Sequence, residues 1–427
     1  MTLGFWLLAC PIPALLTSLL CCLLPGCDRP TVRPPAVVLV APQDDTQTAN
    51  AVIEFSWTGS AERFVLQLGA TEKFFTVLVS DTVSARTASI TLRTDGRYFW
   101  RVQALSTDNI GSAWSEVRSL DLVRFAVRAS AKTQGYAQAI RVENGRAYIA
   151  DGQAGLSIFD LSDPEAPRLV GAVMDSLNEA WGVAVQGDRA YLAYGYKELA
   201  VVDVSQPERP RILGELEYPQ PGYGFDVALR DTMAYVAADA QFLAVGVADA
   251  RYPNLVYQYR YPRGLRGVAV EGDRCYLALE QLGIAIWNVG VWPPVQISGL
   301  DTPANARSVA AATSIAYVAD GRDGLVIVDA TDPAQPRAVA TLPLAGYANR
   351  VSVTDTLVYV GCSAAGLAIV NVKDPAEPFL VAQVKLSYTR GAVEYSGYIF
   401  ACDRDMGLVV IGRTDTVPST VQARTRR

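Results

Sequence analysis

The 427-residue sequence contains no histidine. That absence removes the side chain that most often acts as a general base near neutral pH. It also removes Ser-His-Asp and Cys-His nucleophile arrangements and the commonest metal ligand. Charge is sparse as well: Asp, Glu, Lys and Arg make up 19% of residues and the net charge is −6, which leaves no electrostatic footprint for nucleic acid. Neither a P-loop nor a dinucleotide fingerprint occurs. Asp, Glu, Tyr and Arg remain as the side chains an enzyme could use, and no cofactor is expected.

Half of the residues are hydrophobic, so the composition is that of a folded chain. Helix-period patterns are scarce. Short Val/Ile/Leu/Tyr runs broken by Gly, Pro and Asp recur instead, which predicts an all-β protein.

Residues 1 to 26 have export-signal chemistry: the stretch from Leu3 to Gly26 is uncharged and rich in Leu, Ala and Cys. It ends Leu24-Pro25-Gly26-Cys27, followed by Asp28. This ending resembles a bacterial lipobox, in which a small residue precedes the cysteine that receives the lipid. The resemblance implies Cys27 as the lipidated first residue of the mature protein. The address it implies is extracytoplasmic and membrane-anchored, in a bacterial cell envelope or at its surface. An uncleaved anchor and an ordinary cleaved signal are the alternative readings. Pro11, Pro13 and Pro25 fit a spanning helix poorly. Cys10, Cys21 and Cys22 leave with the signal. Cys275, Cys362 and Cys402 then read as small buried strand residues, with a Cys362–Cys402 bridge as the other option.

Residues 27 to 36 are Pro-rich and read as a stiff, extended tether. Residues 37 to 123 carry short alternating strands. Ile53 to Trp57 places Phe55 and Trp57 on one face, and Tyr98 to Ala104 does the same for Tyr98, Trp100 and Val102. The strand spacing predicts a small seven-strand β-sandwich with Trp57 and Trp100 in its core. With Trp57 early, Tyr98 to Ala104 late and Gly111-Ser112-Ala113-Trp114-Ser115 before the last strand, the segment resembles a fibronectin type III domain.

From 124 to 412 one unit repeats seven times. Its marker is Tyr148, Tyr191, Tyr235, Tyr276, Tyr317, Tyr359 and Phe400, spaced by 43, 44, 41, 41, 42 and 41 residues. Eight residues after each marker stands an apolar strand opener: Leu156, Leu199, Leu243, Ile284, Leu325, Leu367 and Leu408. A rigid bend such as Asp163-Pro164-Glu165-Ala166-Pro167 follows in most units. Each unit holds four strands, A to D; in the first they are residues 139–143, 146–150, 156–161 and 168–173. Four strands in about 42 residues predict propeller blades. The seventh unit stops after strand C, and Val123 to Ala129 reads as the missing D strand. The expected architecture is therefore a seven-bladed β-propeller preceded by a small β-sandwich. The closed ring would hide its sheet edges. Residues 413 to 427 read as a disordered tail.

The run Leu325-Val326-Ile327-Val328-Asp329 and its counterparts resemble the LVIVD-repeat propellers. The likeness is strong in units one, two, five and six. Unit three departs with Phe242 to Gly246, and unit four with Trp292-Pro293-Pro294 in place of the Asp-Pro bend. The resemblance implies a bacterial or archaeal surface location and a scaffold rather than a particular activity. The recurring signals of WD, kelch and sialidase propellers are absent.

In a propeller, the D-to-A and B-to-C loops share the face from which the central channel is entered. Ten residues before each marker stand the channel-mouth positions Gln138, Trp181, Phe225, Arg266, Arg307, Asn349 and Arg390. Tyr136, Tyr223, Tyr347 and Tyr388 precede four of them by two residues. The next ring down is mostly small: Ala139, Gly182, Asp226, Gly267, Ser308, Arg350 and Gly391. Arginines and aromatics at a concave mouth suit an anionic or sugar-like group or a peptide. The opposing reading makes the tyrosines loop braces and pairs the arginines with nearby aspartates. Carboxylates of the B-to-C loops (Asp151, Asp239, Glu280, Asp320, Asp323, Asp403, Asp405) read as turn residues, and no metal site is expected. The expected function is that of a non-catalytic, surface-tethered binding or scaffold protein. It would be a monomer with a protein, peptide or glycan ligand, held to a membrane through a lipid on Cys27, and with no nucleic-acid partner. The alternative is an envelope hydrolase or lyase with a carboxylate/Arg site at the channel mouth.

Overall fold

The computed structural model describes residues 33–174, 178–216 and 222–415. The export signal, Cys27, most of the tether and the tail from 416 onward lie outside these described residues. The fold is all-β. The chain divides into two compact units.

The first unit is a small sandwich. Val38–Ala41, Val52–Thr58 and Thr87–Thr91 form a three-stranded sheet. Thr46–Thr48, Arg118–Leu122, Gly96–Leu105, Arg63–Gly69 and Val77–Val83 form a five-stranded one. The strand count is one more than the seven expected, because the short Thr46–Thr48 adds an edge beside Arg118–Leu122. Alternation works as the pattern requires: Ile53, Phe55 and Trp57 are buried, as are Phe64, Leu66, Leu68, Trp100, Val102 and Ala104. Phe55 meets Trp100 edge-on at 5.0 Å and Trp57 meets Phe64 at 5.7 Å. Trp57 and Trp100 are thus core residues.

The second unit is the propeller. It consists of seven four-stranded antiparallel sheets, each in the order A-B-C-D. The first is Ala139–Glu143, Arg146–Ala150, Leu156–Asp160 and Arg168–Val173. In the last, Thr389–Tyr395, Tyr398–Asp403 and Gly407–Arg413 are completed by Phe125–Ala131, two residues later than the expected Val123 to Ala129. The seven inner strands contact one another in a closed cycle, the first touching the last. Each marker tyrosine, and Phe400, is at most 4% exposed. Burying such a ring contributes about 2 kcal/mol through apolar area alone.

Every sheet carries a bulge at the same place in its C–D pairing, from Ile158/Phe159 in the first to Val410/Ile411 in the last. A bulge sharpens the local twist, which lets successive sheets pack face to face. Cys275, Cys362 and Cys402 are buried free thiols, so Cys362 and Cys402 are not bridged. Burial pushes all three above the ordinary thiol range, Cys362 up to about 12.

Candidate functional site

The mouth residues owe their direction to irregularity in the inner strands. The A–B register breaks between Ala180 and Gly182, between Gly224 and Asp226, and between Thr389 and Gly391. Trp181, Phe225 and Arg390 are the extra residues at those breaks, and a bulge re-aims the side chain it carries. Gln138, Arg266, Arg307 and Asn349 sit just before their strands, each anchored by its own backbone N–H donating to the carbonyl of Ala150, Ala278, Ala319 or Gly361 respectively.

Several of these side chains form one cluster. Trp181 meets Phe225 at 5.8 Å and Tyr223 at 6.1 Å, and Tyr223 also packs on Tyr196. The Arg266 guanidinium lies 3.9 Å from the Phe225 ring centroid. Arg266 and Arg307 both donate to Glu280 Oε1, at 2.7 and 2.9 Å. Arg390 lies 5.8 Å from the Trp181 centroid and 5.5 Å from that of Tyr388. Glu179 accepts from Tyr223 Oη at 2.7 Å and Trp181 Nε1 at 3.2 Å. Burial and that hydrogen bond to Glu179 push the Tyr223 phenol up to about 12.

Other candidates are spent on structure. Asn349 is buried and donates to Ser363 Oγ and the Tyr347 carbonyl. Gln138 is buried, while Tyr136 stands exposed on the rim. Tyr388 has the Arg390 and Arg404 guanidiniums 5.5 and 4.7 Å from its ring centroid.

The ring below closes the axis. Arg350 donates to Asp226 Oδ1 at 3.0 Å and to the carbonyls of Trp181 and Phe225 at 2.7 and 3.0 Å. The small residues beside this strut are dictated by proximity. A Cβ on Gly182 would lie 2.8 Å from the Asp226 Cα, and one on Gly391 2.9 Å from the Arg350 Cβ. Beneath the strut a channel of about 510 Å³ continues between the seven inner strands, reaching Glu143, Thr354 and Glu394 at its far end.

Positive charge gathers here. Burial lowers the pKa of Arg307, and the neighbouring Arg266 adds to the effect. Burial does the same to Arg390, with Arg350, Arg307 and Arg404 contributing repulsion. Glu280 binds two arginines, but Arg390 has no carboxylate partner among the described residues. The axis therefore presents cations flanked by aromatic faces, an arrangement that can hold an anion, a sugar or a peptide.

The B-to-C carboxylates do more than shape turns. Asp151 accepts from the backbone N–H groups of Gln134 and Gly135 and from Ser157 Oγ. Asp320 accepts from Thr302 Oγ1 and the Ala304 N–H. Asp403 accepts from Ser387, Tyr388, Asp405 and Met406. Each ties a D-to-A loop to the B-to-C loop of the same sheet, which stiffens the mouth. No group of three metal-binding side chains converges among the described residues.

The strut, Glu179 and Tyr196 escaped the sequence reading of the mouth. Comparing the seven equivalent positions was the available signal, since Asp226 and Arg350 are the charged residues in a ring otherwise made of Ala, Gly and Ser.

Comparison with known proteins agrees with this architecture. The LVIVD repeat family model matches residues 134–175, 178–216, 303–341 and 345–385, which are units one, two, five and six. The four strands of unit three and the four of unit four fall between the matches, where the sequence departs from the pattern. No curated protein matches the sequence. Among solved structures, the chain is similar to the computationally designed Ika8 protein (TM-score 0.52, 6% identity, 89% of this chain and 99% of that one). It is similar to the WD40 β-propeller domain of Doa1 (TM-score 0.53, 10% identity, 68% and 97% covered). It is also similar to a chain of the mitotic checkpoint complex (TM-score 0.55, 11% identity, 68% and 90% covered). At these identities the likeness is one of fold.

Proposed function

We propose that this protein is a non-catalytic binding or scaffold protein whose seven sheets act as the blades of one closed ring, with the channel mouth as its platform. The observation that carries the reading is the strut. Arg350 and Asp226 meet directly under the mouth, so the cluster of Trp181, Tyr223, Phe225, Arg266, Arg307 and Arg390 stands above a charged strut. Its carboxylates are engaged: Asp226 by Arg350, Glu280 by two arginines, and Glu179 by Tyr223 and Trp181. Propeller faces with stiff loops and exposed aromatics serve recognition well.

The protein acts outside the cytoplasm, held to a membrane by a lipid on Cys27, with the Pro-rich tether and a fibronectin type III-like sandwich as spacer. The uncharged run from Leu3 to Gly26 followed by Cys27 supports this address.

Two experiments test the proposal. Capture from an envelope extract with the full chain is compared with the Arg307→Ala/Arg390→Ala variant. A variant that folds normally and retains every captured partner refutes the mouth as platform. Labelling with a palmitate analogue is compared between wild type and Cys27→Ala. Equal labelling refutes the lipid anchor.

A further inference from the structure

Arg141 stands at the third ring of the inner strands, one step below the strut. Its counterparts in the other six sheets are Ala184, Ala228, Ala269, Ala310, Ser352 and Val393. The fold is thus satisfied by a small side chain at this level. Packing therefore does not call for a long cation here, and its guanidinium is a set of donors seeking acceptors.

No carboxylate pairs with it among the described residues. Its one described hydrogen bond runs from Nη1 to the carbonyl of Ile140, at 3.3 Å. Asp226 acts on it electrostatically but is already bonded to Arg350 at 3.0 Å. A guanidinium carries five N–H donors in a planar fork, so most of the Arg141 donors remain open. The side chain is exposed to the channel space, while the protein packed around the channel lowers its pKa. The channel holds about 510 Å³, room for an ion and several waters.

We propose that the channel binds a small oxyanion on Arg141, beneath the Arg350–Asp226 strut. The ligand class is a carboxylate or an inorganic oxyanion, which accepts two parallel N–H bonds from the fork. Walls of Ala184, Ala228, Ala269 and Ala310 place no competing charged side chain at this level. Glu143 and Glu394 also line the channel, and their repulsion of any anion favours a small, singly charged one. This site is separate from the mouth and does not depend on what the mouth binds.

The test is calorimetric titration of the full chain with sodium formate and, separately, with sodium sulfate at matched ionic strength. Wild type is compared with Arg141→Ala and Arg141→Lys. Sulfate stabilises folded proteins in general by exclusion from their surfaces, so thermal melts are read only as the difference between wild type and variant. Saturable binding by wild type, weakened about ten-fold or more in Arg141→Ala and partly retained in Arg141→Lys, supports the proposal. A preference for formate identifies a carboxylate site and a preference for sulfate an inorganic one. Absence of saturable binding in wild type, or equal binding by Arg141→Ala, overturns it and leaves Arg141 solvated by water. If Arg141→Ala does not fold, Arg141→Gln makes the same comparison with the volume largely kept.

Discussion

Arg350 donates Nη1 to Asp226 Oδ1 at 3.0 Å across the propeller axis, although 124 residues separate the two in sequence. The pair joins the sixth sheet to the third, and the remaining Arg350 donors reach the carbonyls of Trp181 and Phe225. The strut therefore ties the sixth sheet to the second and third beneath the mouth residues.

Removing one partner of a buried pair strands the other's charge. Asp226 is only 4% exposed. Arg350→Ala is expected to destabilise the protein by about 3 kcal/mol, and Asp226→Ala by a comparable amount. The double variant should cost less than the sum, because neither charge is left alone. Urea denaturation of the four proteins measures the coupling. Strict additivity would show that the strut contributes nothing as a pair.

Glu198 is fully buried, and burial raises its carboxyl pKa to about 7. Its Oε1 accepts from the Gly222 N–H at 2.7 Å. The unfolded chain releases this proton near the ordinary glutamate value of 4.5, whereas the folded chain keeps it up to about pH 7. Unfolding thus loses a proton in that window, so stability falls as pH rises from about 4.5 to 7 and then levels off. The loss is about 3 kcal/mol, at 1.36 kcal/mol per pKa unit. Glu198→Gln keeps the acceptor and abolishes the ionisation, so it should flatten this segment of the stability–pH curve. An unchanged slope in the variant assigns the pH dependence elsewhere.

Tyr276 shows what the repeat tyrosine needs. Its hydroxyl is buried without a hydrogen bond among the described residues, and the ring packs against Ala278, Ile286 and Val318. Tyr276→Phe should change stability by less than about 1 kcal/mol, as the natural Phe400 in the seventh sheet implies, whereas Tyr276→Ala should cost about 4 kcal/mol through the cavity it opens. Thermal melts of both variants distinguish ring packing from hydroxyl bonding.

Ring closure depends on Gly407–Arg413, which pairs with Phe125–Ala131 from the far side of the propeller sequence. A chain ending at Asp405 leaves that borrowed strand without its neighbour and opens two sheet edges. The expected outcome is loss of the single cooperative melt together with aggregation, read by calorimetry and size-exclusion chromatography. A truncated chain with an unchanged melt would show that closure is dispensable.

Much of the fold was legible in residue order. The tyrosine markers and the strand openers eight residues beyond them located the four strands of the first sheet and the borrowed strand to within one or two residues, because every sheet buries both faces and so writes its strands as apolar runs. Buried Trp57 and Trp100 followed from strict alternation. The mouth was legible as a set of positions, since equal offsets from the markers land on equivalent places in the ring.

What those side chains do to one another was decided by the tertiary structure. Arg350 and Asp226 lie three sheets apart, and the closeness of Arg390 to Trp181 spans the mouth. Such contacts arise only when the ring closes and brings distant units to a common axis, where no sequence period relates one side chain to its partner. Sequence determined the repeat, the strands and the burial, which depend on local alternation and spacing. Closure decided which charges met across the axis and which, like Arg141, met none.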